Sequence, residues 1–137
     1  MQTFDEFVEV VKLLREKCPW DSVQTHESLK TCLINETQEV LEGIDILKTE
    51  GNGENLKEEL GDLMLLVVLH SIIAQEERIF TMEDVLKEIT WKMKFRHPKI
   101  FSPEDQEAVS MSWDELKQRE KSLRKARRES AQTAENP

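Results

Sequence analysis

Four carboxylates near the middle of the chain have the types and spacing to do chemistry. Glu36 and Glu39 stand three residues apart, as do Glu59 and Asp62, with nineteen residues between the two pairs. If both stretches are helical, each residue advances by about 100°. Glu36 then falls near the centre of an apolar stripe of Leu29, Leu33, Val40 and Leu47, with Glu39 at the edge of the same face. Glu59 falls at the margin of a second stripe, Leu56, Leu60, Leu63 and Val67, and Asp62 lies further round on that side. Helices joined by a short turn pack antiparallel with their apolar stripes together. The spacing therefore predicts two carboxylates from each helix converging on one partly buried spot.

Such a cluster is unfavourable by itself. Two carboxylates about 4 Å apart repel by roughly 4 kcal/mol at an effective dielectric of 20. Three remedies exist: some acids are protonated, basic side chains reach in, or a hard divalent cation sits between them. All-oxygen ligation selects Mg²⁺, Mn²⁺ or Ca²⁺ over zinc. The plainer alternative is a solvated acidic face. With 28 acids in 137 residues, pairs three apart also arise by chance, as Glu42 and Asp45 show. The doubling on consecutive helices and the intrusion of Glu36 into an apolar stripe argue for the site.

The elements that must position these groups are helices. Apolar periodicity predicts one over 3–17, with Phe4, Phe7, Val8, Val11 and Leu14 on one face. Cys18-Pro19-Trp20-Asp21 breaks it. A second helix is expected over 27–48, the turn Gly51-Asn52-Gly53 follows, and a third runs over 54–77. From Leu63 to Ala74 that third helix is apolar nearly all round and must be covered on every side. Four or five short helices in one chain would struggle to cover it, so a homo-oligomer, a dimer or higher, is expected. A fourth helix opens at Thr81-Met82-Glu83-Asp84 and ends before Pro98; a loop containing Pro103 follows. Ser112-Trp113-Asp114-Glu115 reads as a capping box for a fifth helix, with residues 131–137 expected to be disordered.

The composition fits an all-α fold: 38% hydrophobic, 34% charged, four Gly, four Pro and no Tyr. The longest apolar run, 63–69, is far short of the ~20 residues that cross a bilayer. The acidic N-terminus lacks the features of a secretory signal, so a cytoplasmic location is expected. Cys18 and Cys32 form no CxxC or Cys/His pattern and are expected as free thiols. Residues 1–116 carry 12 Lys/Arg against 25 Asp/Glu, whereas 117–137 carry 7 against 3. So acidic a body argues against nucleic acid as the main partner, though a divalent cation can reverse the local sign for a phosphorylated small molecule.

Taken together, LREKCPWDSVQTHESL, NETQEVLEGI, LKEELGDLMLLVVLH and KFRHPKIF resemble the MazG-like nucleotide pyrophosphohydrolases, in collinear order over about residues 7–117. That family's ExxE…ExxD signature appears here as Glu36-x-x-Glu39 and Glu59-x-x-Asp62, flanked by CPWD and RHP. The resemblance implies an all-α fold on a four-helix core, completed by dimerisation, with residues 1–118 as the catalytic domain and 119–137 as a charged helix end and tail. It implies hydrolysis of nucleoside or deoxynucleoside triphosphates between the α and β phosphates, with Glu36, Glu39, Glu59 and Asp62 holding Mg²⁺, or Mn²⁺ in its place.

By the same resemblance Lys92 and Arg96, one helical turn apart, match basic positions that meet phosphate, and Trp113 and Lys117 match an aromatic–lysine pair that meets the nucleotide. From the residues alone, Lys92 and Arg96 could equally be a solvated face and Trp113 a core or cap-adjacent aromatic. Trp20 could stack on a base or anchor the helix junction; His97 could reach phosphate or cap a helix end; His26 and His70 read as structural. Asn35 stands where many relatives have an acid, and Asn55 where some have a lysine. Asn cannot take a proton from water, so reduced activity or shifted substrate choice is one expectation. Rival readings are cleavage of dUTP, of modified nucleotides or of phosphoribosyl-ATP, and a catalytically weak helical module that binds a partner.

Overall fold

The computed structural model describes residues 2–135, and every regular element among them is helical. Seven α-helices follow in order: α1 (Gln2–Lys17), α2 (Lys30–Glu50), α3 (Glu54–Glu76), α4 (Met82–Arg96), α5 (Pro98–Phe101), α6 (Gln106–Ser110) and α7 (Trp113–Glu135), with a 3₁₀ turn at Asp21–Val23 after α1. No helix among the described residues is long and apolar enough to cross a membrane. Both cysteines are free thiols. The chain forms two compact units, residues 1–82 and 83–137. That division falls inside the stretch 1–118 that the sequence reads as one domain, and α7 runs unbroken across position 118.

In the first unit α2 and α3 form an antiparallel hairpin. Gly51 ends α2 in the left-handed region (φ 68°), which costs a glycine nothing, and its N–H donates to the Leu47 carbonyl at 2.9 Å. Asn52 then takes the Glu54 N–H on its side-chain oxygen at 3.0 Å, opening α3. The two helices approach most closely at Gly43, where a Cβ would stand 2.9 Å from the Leu56 Cα and 3.1 Å from Asn55 Oδ1. Only glycine fits there without displacing backbone. Asn55 is thus part of this close crossing.

The core of the unit gathers Val11 of α1, Leu29, and Leu66, Val68, Leu69, Ile72 and Ile73 of α3, with Phe7, Val8, Cys32 and Leu33 packed against it. The apolar second half of α3 is therefore largely covered within the chain, more than the sequence suggested. What stays open on the hairpin is Leu41, Ile44 and Leu47 of α2 and Leu60, Met64 and Val67 of α3, all exposed.

Helix α2 begins at Lys30, three residues later than expected, because Thr25 and Ser28 exchange side-chain–backbone hydrogen bonds (2.8 and 3.0 Å) and close a turn first. The α1–α2 connection is pinned by Arg15. Its guanidinium donates to the carbonyls of Asp21 (2.7 Å) and Gln24 (2.8 Å) and pairs with Glu76 at the end of α3 (3.0 Å). His26 and His70 stack in parallel with their Nδ1 atoms 2.8 Å apart, a contact that requires a single proton between them. Burial, and then the neighbouring His26, lower the pKa of His70, which favours its neutral form.

In the second unit the expected loop after α4 contains two short helices. Pro98 opens α5, where its missing N–H and fixed φ cost nothing. Asp105 caps α6 by accepting the Ala108 N–H at 3.1 Å. The capping box of α7 is present: the Ser112 N–H donates to Glu115 at 2.7 Å and the Glu115 N–H to Ser112 Oγ at 3.2 Å. Helix α7 continues to Glu135, so residues 131–135, expected to be disordered, are helical; the same expectation for Asn136 and Pro137 lies outside the described residues. Ion pairs tie α7 antiparallel to α4: Arg96 with Glu120 (3.0 Å), and Glu88 with Arg124 (3.0 Å) and Arg127 (3.5 Å), the last guanidinium lying 4.0 Å over the Trp91 ring.

Candidate functional site

The α2–α3 hairpin brings the four predicted carboxylates together. Glu36 and Glu39 lie one turn apart on α2, and Glu59 and Asp62 one turn apart on α3. One ligand oxygen from each fits within 4.8 Å of all the others. Gly43 lies two turns beyond Glu36 on α2, so the close crossing it permits sets the distance between the two helices that carry the acids.

The electrostatics of this group are those of uncompensated charge. Glu59 is buried, and its pKa is pushed up to about 7, first by the hydrogen bond it shares with Glu39, then by burial and by repulsion from Glu39, Asp62 and Glu36. Glu36 is half-buried and also raised, chiefly by burial, then by its hydrogen bond to Glu39 and by the charges of Glu39 and Asp62. Two carboxylates can share a hydrogen bond only through a proton, so the cluster holds protons that isolated acids would release. Even so, Oε2 of Glu36 and Oε2 of Glu59 are buried with no hydrogen-bond partner. Among the described residues, none of the ion pairs engages any of the four acids.

These observations test the three remedies for a carboxylate cluster. Basic side chains do not supply the compensation. Shared protons supply part of it, and two oxygens remain orphaned. An all-oxygen set with orphaned buried lone pairs is what a hard cation needs, so the residues fit a divalent metal ion.

The remaining predicted residues are placed as follows. Trp20 lies in the α1–α2 connection and is 53% exposed, so it does not anchor that junction by burial; Arg15 does the anchoring. Asn35 is exposed on α2. In the second unit, Lys92 is half-buried on α4, and Lys117 is half-buried one turn after Trp113 on α7. Trp113 is half-exposed, its ring 5.7 Å from the Arg96 guanidinium carbon and 5.5 Å from the His97 ring. His97 Nδ1 meets the Met93 carbonyl at 2.6 Å, the helix-capping role. Arg96 is not the solvated residue that its sequence surroundings suggest: it is 8% exposed and bound to Glu120, which is wholly buried. Sequence reading missed Glu120 because a glutamate in a charge-dense helix, 24 residues from its partner, looks like one more solvated group.

The chain spans about half, or less, of the length of the curated relatives it matches. It is 44% identical over 128 residues to the nucleoside triphosphate pyrophosphohydrolase/pyrophosphatase MazG of Thermotoga maritima, covering 91% of this chain and 48% of that one. It is 33% identical to the nucleoside triphosphate pyrophosphohydrolase of Escherichia coli, over 88% of this chain and 47% of that one. Among solved structures it is similar to a MazG-related protein from Thermotoga maritima, with a TM-score of 0.65 at 28% identity, over 83% of this chain and 98% of that one. Residues 24–101, more than half of the chain and including all four carboxylates, match the MazG nucleotide pyrophosphohydrolase domain. The chain belongs to that family.

Proposed function

We propose that this chain hydrolyses nucleoside or deoxynucleoside triphosphates between the α and β phosphates, giving the monophosphate and pyrophosphate, with Mg²⁺ held by Glu36, Glu39, Glu59 and Asp62. The observation that carries the reading is the convergence of four carboxylates, with no ion pair to any of them among the described residues, two of whose oxygens are buried without a hydrogen-bond partner. The pyrophosphohydrolase names of the relatives direct the cation toward a triphosphate. Mn²⁺, with the same preference for oxygen, is the expected substitute. Bound there, the cation would neutralise phosphate charge and acidify water.

The chain's own share of the work is positioning. Glu36, Glu39, Glu59 and Asp62 sit on two regular helices held by a tight crossing, so their oxygens are preorganised. Lys92, Arg96 and Lys117 are the proposed partners of the phosphates, and Trp113 and Trp20, both half-exposed, the proposed surfaces for the base. Phosphoryl transfer depends mainly on orientation and charge stabilisation, which such groups supply. The exposed apolar residues of the α2–α3 hairpin, Leu41, Ile44, Leu60, Met64 and Val67, are proposed to be covered by a second copy of the chain.

The test is pyrophosphate release from a panel of NTPs and dNTPs, with Mg²⁺ and with EDTA, beside Glu39→Gln. Cation-dependent monophosphate and pyrophosphate, lost in the variant, is the expected outcome. Release of orthophosphate alone would place the cleavage elsewhere. Inactivity of the folded protein toward every nucleotide would sink the enzyme reading and bring forward a partner-binding module.

A further inference from the structure

The second unit contains a charge network that the proposed reaction does not explain. Oε1 of the wholly buried Glu120 accepts from two arginines, Arg96 on α4 (3.0 Å) and Arg124 one turn along α7 (2.7 Å). Glu88 in turn receives Arg124 and Arg127. Three arginines thus meet two glutamates, and the network carries one positive charge more than it neutralises. The buried atoms of this network without a hydrogen-bond partner are Arg96 Nε, Glu120 Oε2 and Arg124 Nε, the last within ion-pair distance of Glu88 (3.0 Å).

Arg96 lies at a cavity of about 360 Å³, which His97, Pro98, Met111, Trp113 and Leu116 also line. One guanidinium nitrogen is fixed on Glu120, the Trp113 ring lies 5.7 Å from the guanidinium carbon, and a buried Nε is left unpaired. A guanidinium can form a two-point fork with a carboxylate, yet here a single nitrogen holds the contact, leaving donors for an anion. An apolar pair of similar volume would hold α4 to α7 about as well as a buried ion pair does. Stability alone therefore does not account for a buried acid at position 120, whereas fixing the plane of Arg96 does.

We propose that Glu120 is a positioning residue for the nucleotide: it acts through Arg96, holding the guanidinium at the cavity in the orientation that meets a phosphate group. The inference rests on the reading of Arg96 as a phosphate contact, and it assigns part of the charged α7 helix a role in substrate recognition.

The test compares KM and kcat for the best nucleotide, with a thermal melt of each variant, in wild type, Glu120→Gln, Arg124→Met, Arg96→Ala and the double variant Arg96→Ala/Glu120→Gln. Glu120→Gln should raise KM about tenfold with a smaller change in kcat, the scale of one charge-assisted hydrogen bond. Arg124→Met removes the other partner of the same carboxylate but leaves the Arg96–Glu120 contact in place; it should lower the melting temperature and raise KM clearly less than Glu120→Gln does. On the Arg96→Ala background, Glu120→Gln should add nothing to KM. Glu120→Asp, which keeps the charge, should fold if Glu120→Gln does not, and recover part of the affinity. If Arg96→Ala leaves KM unchanged, the phosphate reading of Arg96 fails and the inference goes with it. If Arg96→Ala raises KM but Glu120→Gln does not, or if Arg124→Met raises it equally, Glu120 is structural and the positioning role alone is overturned.

Discussion

Both units of this chain bury carboxylates, and they treat them in opposite ways. In the second unit Glu120 disappears completely from solvent but takes two arginines with it, and Glu88 holds the outer ends of the same network. In the first unit Glu36, Glu39, Glu59 and Asp62 converge, with no ion pair to any of them among the described residues, and the hydrogen bond shared with Glu39, then burial and repulsion, push the pKa of Glu59 up to about 7. A buried acid with its counter-charge in the sequence is held by the chain itself and can fix its partner in turn. Acids gathered without one leave the counter-charge to come from outside the chain, which makes them a site.

Substitutions should separate the two kinds of carboxylate. The largest effect on folding is expected at Glu120→Ala, which strands buried Arg96 and should cost about 3–5 kcal/mol in urea denaturation. A variant as stable as wild type would mean that the network is ornamental. At the other cluster, Glu39→Gln or Asp62→Asn should leave the fold in place and lower turnover by roughly a hundredfold or more, since a direct ligand should matter at least as much as the groups behind it. Equal loss of fold and activity at both clusters would erase the distinction.

Smaller effects sharpen the comparison further. Gly43→Ala pushes a methyl into the Leu56 backbone and should cost about 1–3 kcal/mol, the range for overpacking, and weaken cation binding as the helices part. Intact cation affinity in that variant would show that helix spacing does not set the site. The smallest effect concerns pH. Glu59 titrates near 7 in the folded state against an ordinary 4.5, so between those values the folded chain keeps a proton that the unfolded chain has released. The cation-free protein should therefore lose stability as pH rises from 4.5 through 7 and level off above, and Mg²⁺ should restore it most at the alkaline end. A melting temperature that rises over this window without cation would contradict the uncompensated cluster.

The sequence made the acidic site legible and hid the paired one, for a physical reason. Helical periodicity places residues three apart on one face, and a short turn folds that face onto the next, so Glu36/Glu39 and Glu59/Asp62 could be brought together from local spacing alone. The Ser112/Glu115 box was readable in the same way. Arg96 and Glu120 are joined only by how α4 meets α7, which no local pattern encodes. Local competition also moved boundaries: the Thr25/Ser28 turn delays α2, and Pro98 and Asp105 start short helices in what reads as loop. The division at 82/83 left no mark either, because Thr81-Met82-Glu83-Asp84 is an ordinary helix start.

Calorimetric titration of Mn²⁺ into the folded protein, beside Glu59→Gln, tests most directly whether the unpaired carboxylates are a cation site. The expected result is saturable binding at pH 8 that weakens as the pH falls through 7 and is lost in the variant. No binding to the folded wild type, or equal binding to Glu59→Gln, would contradict it.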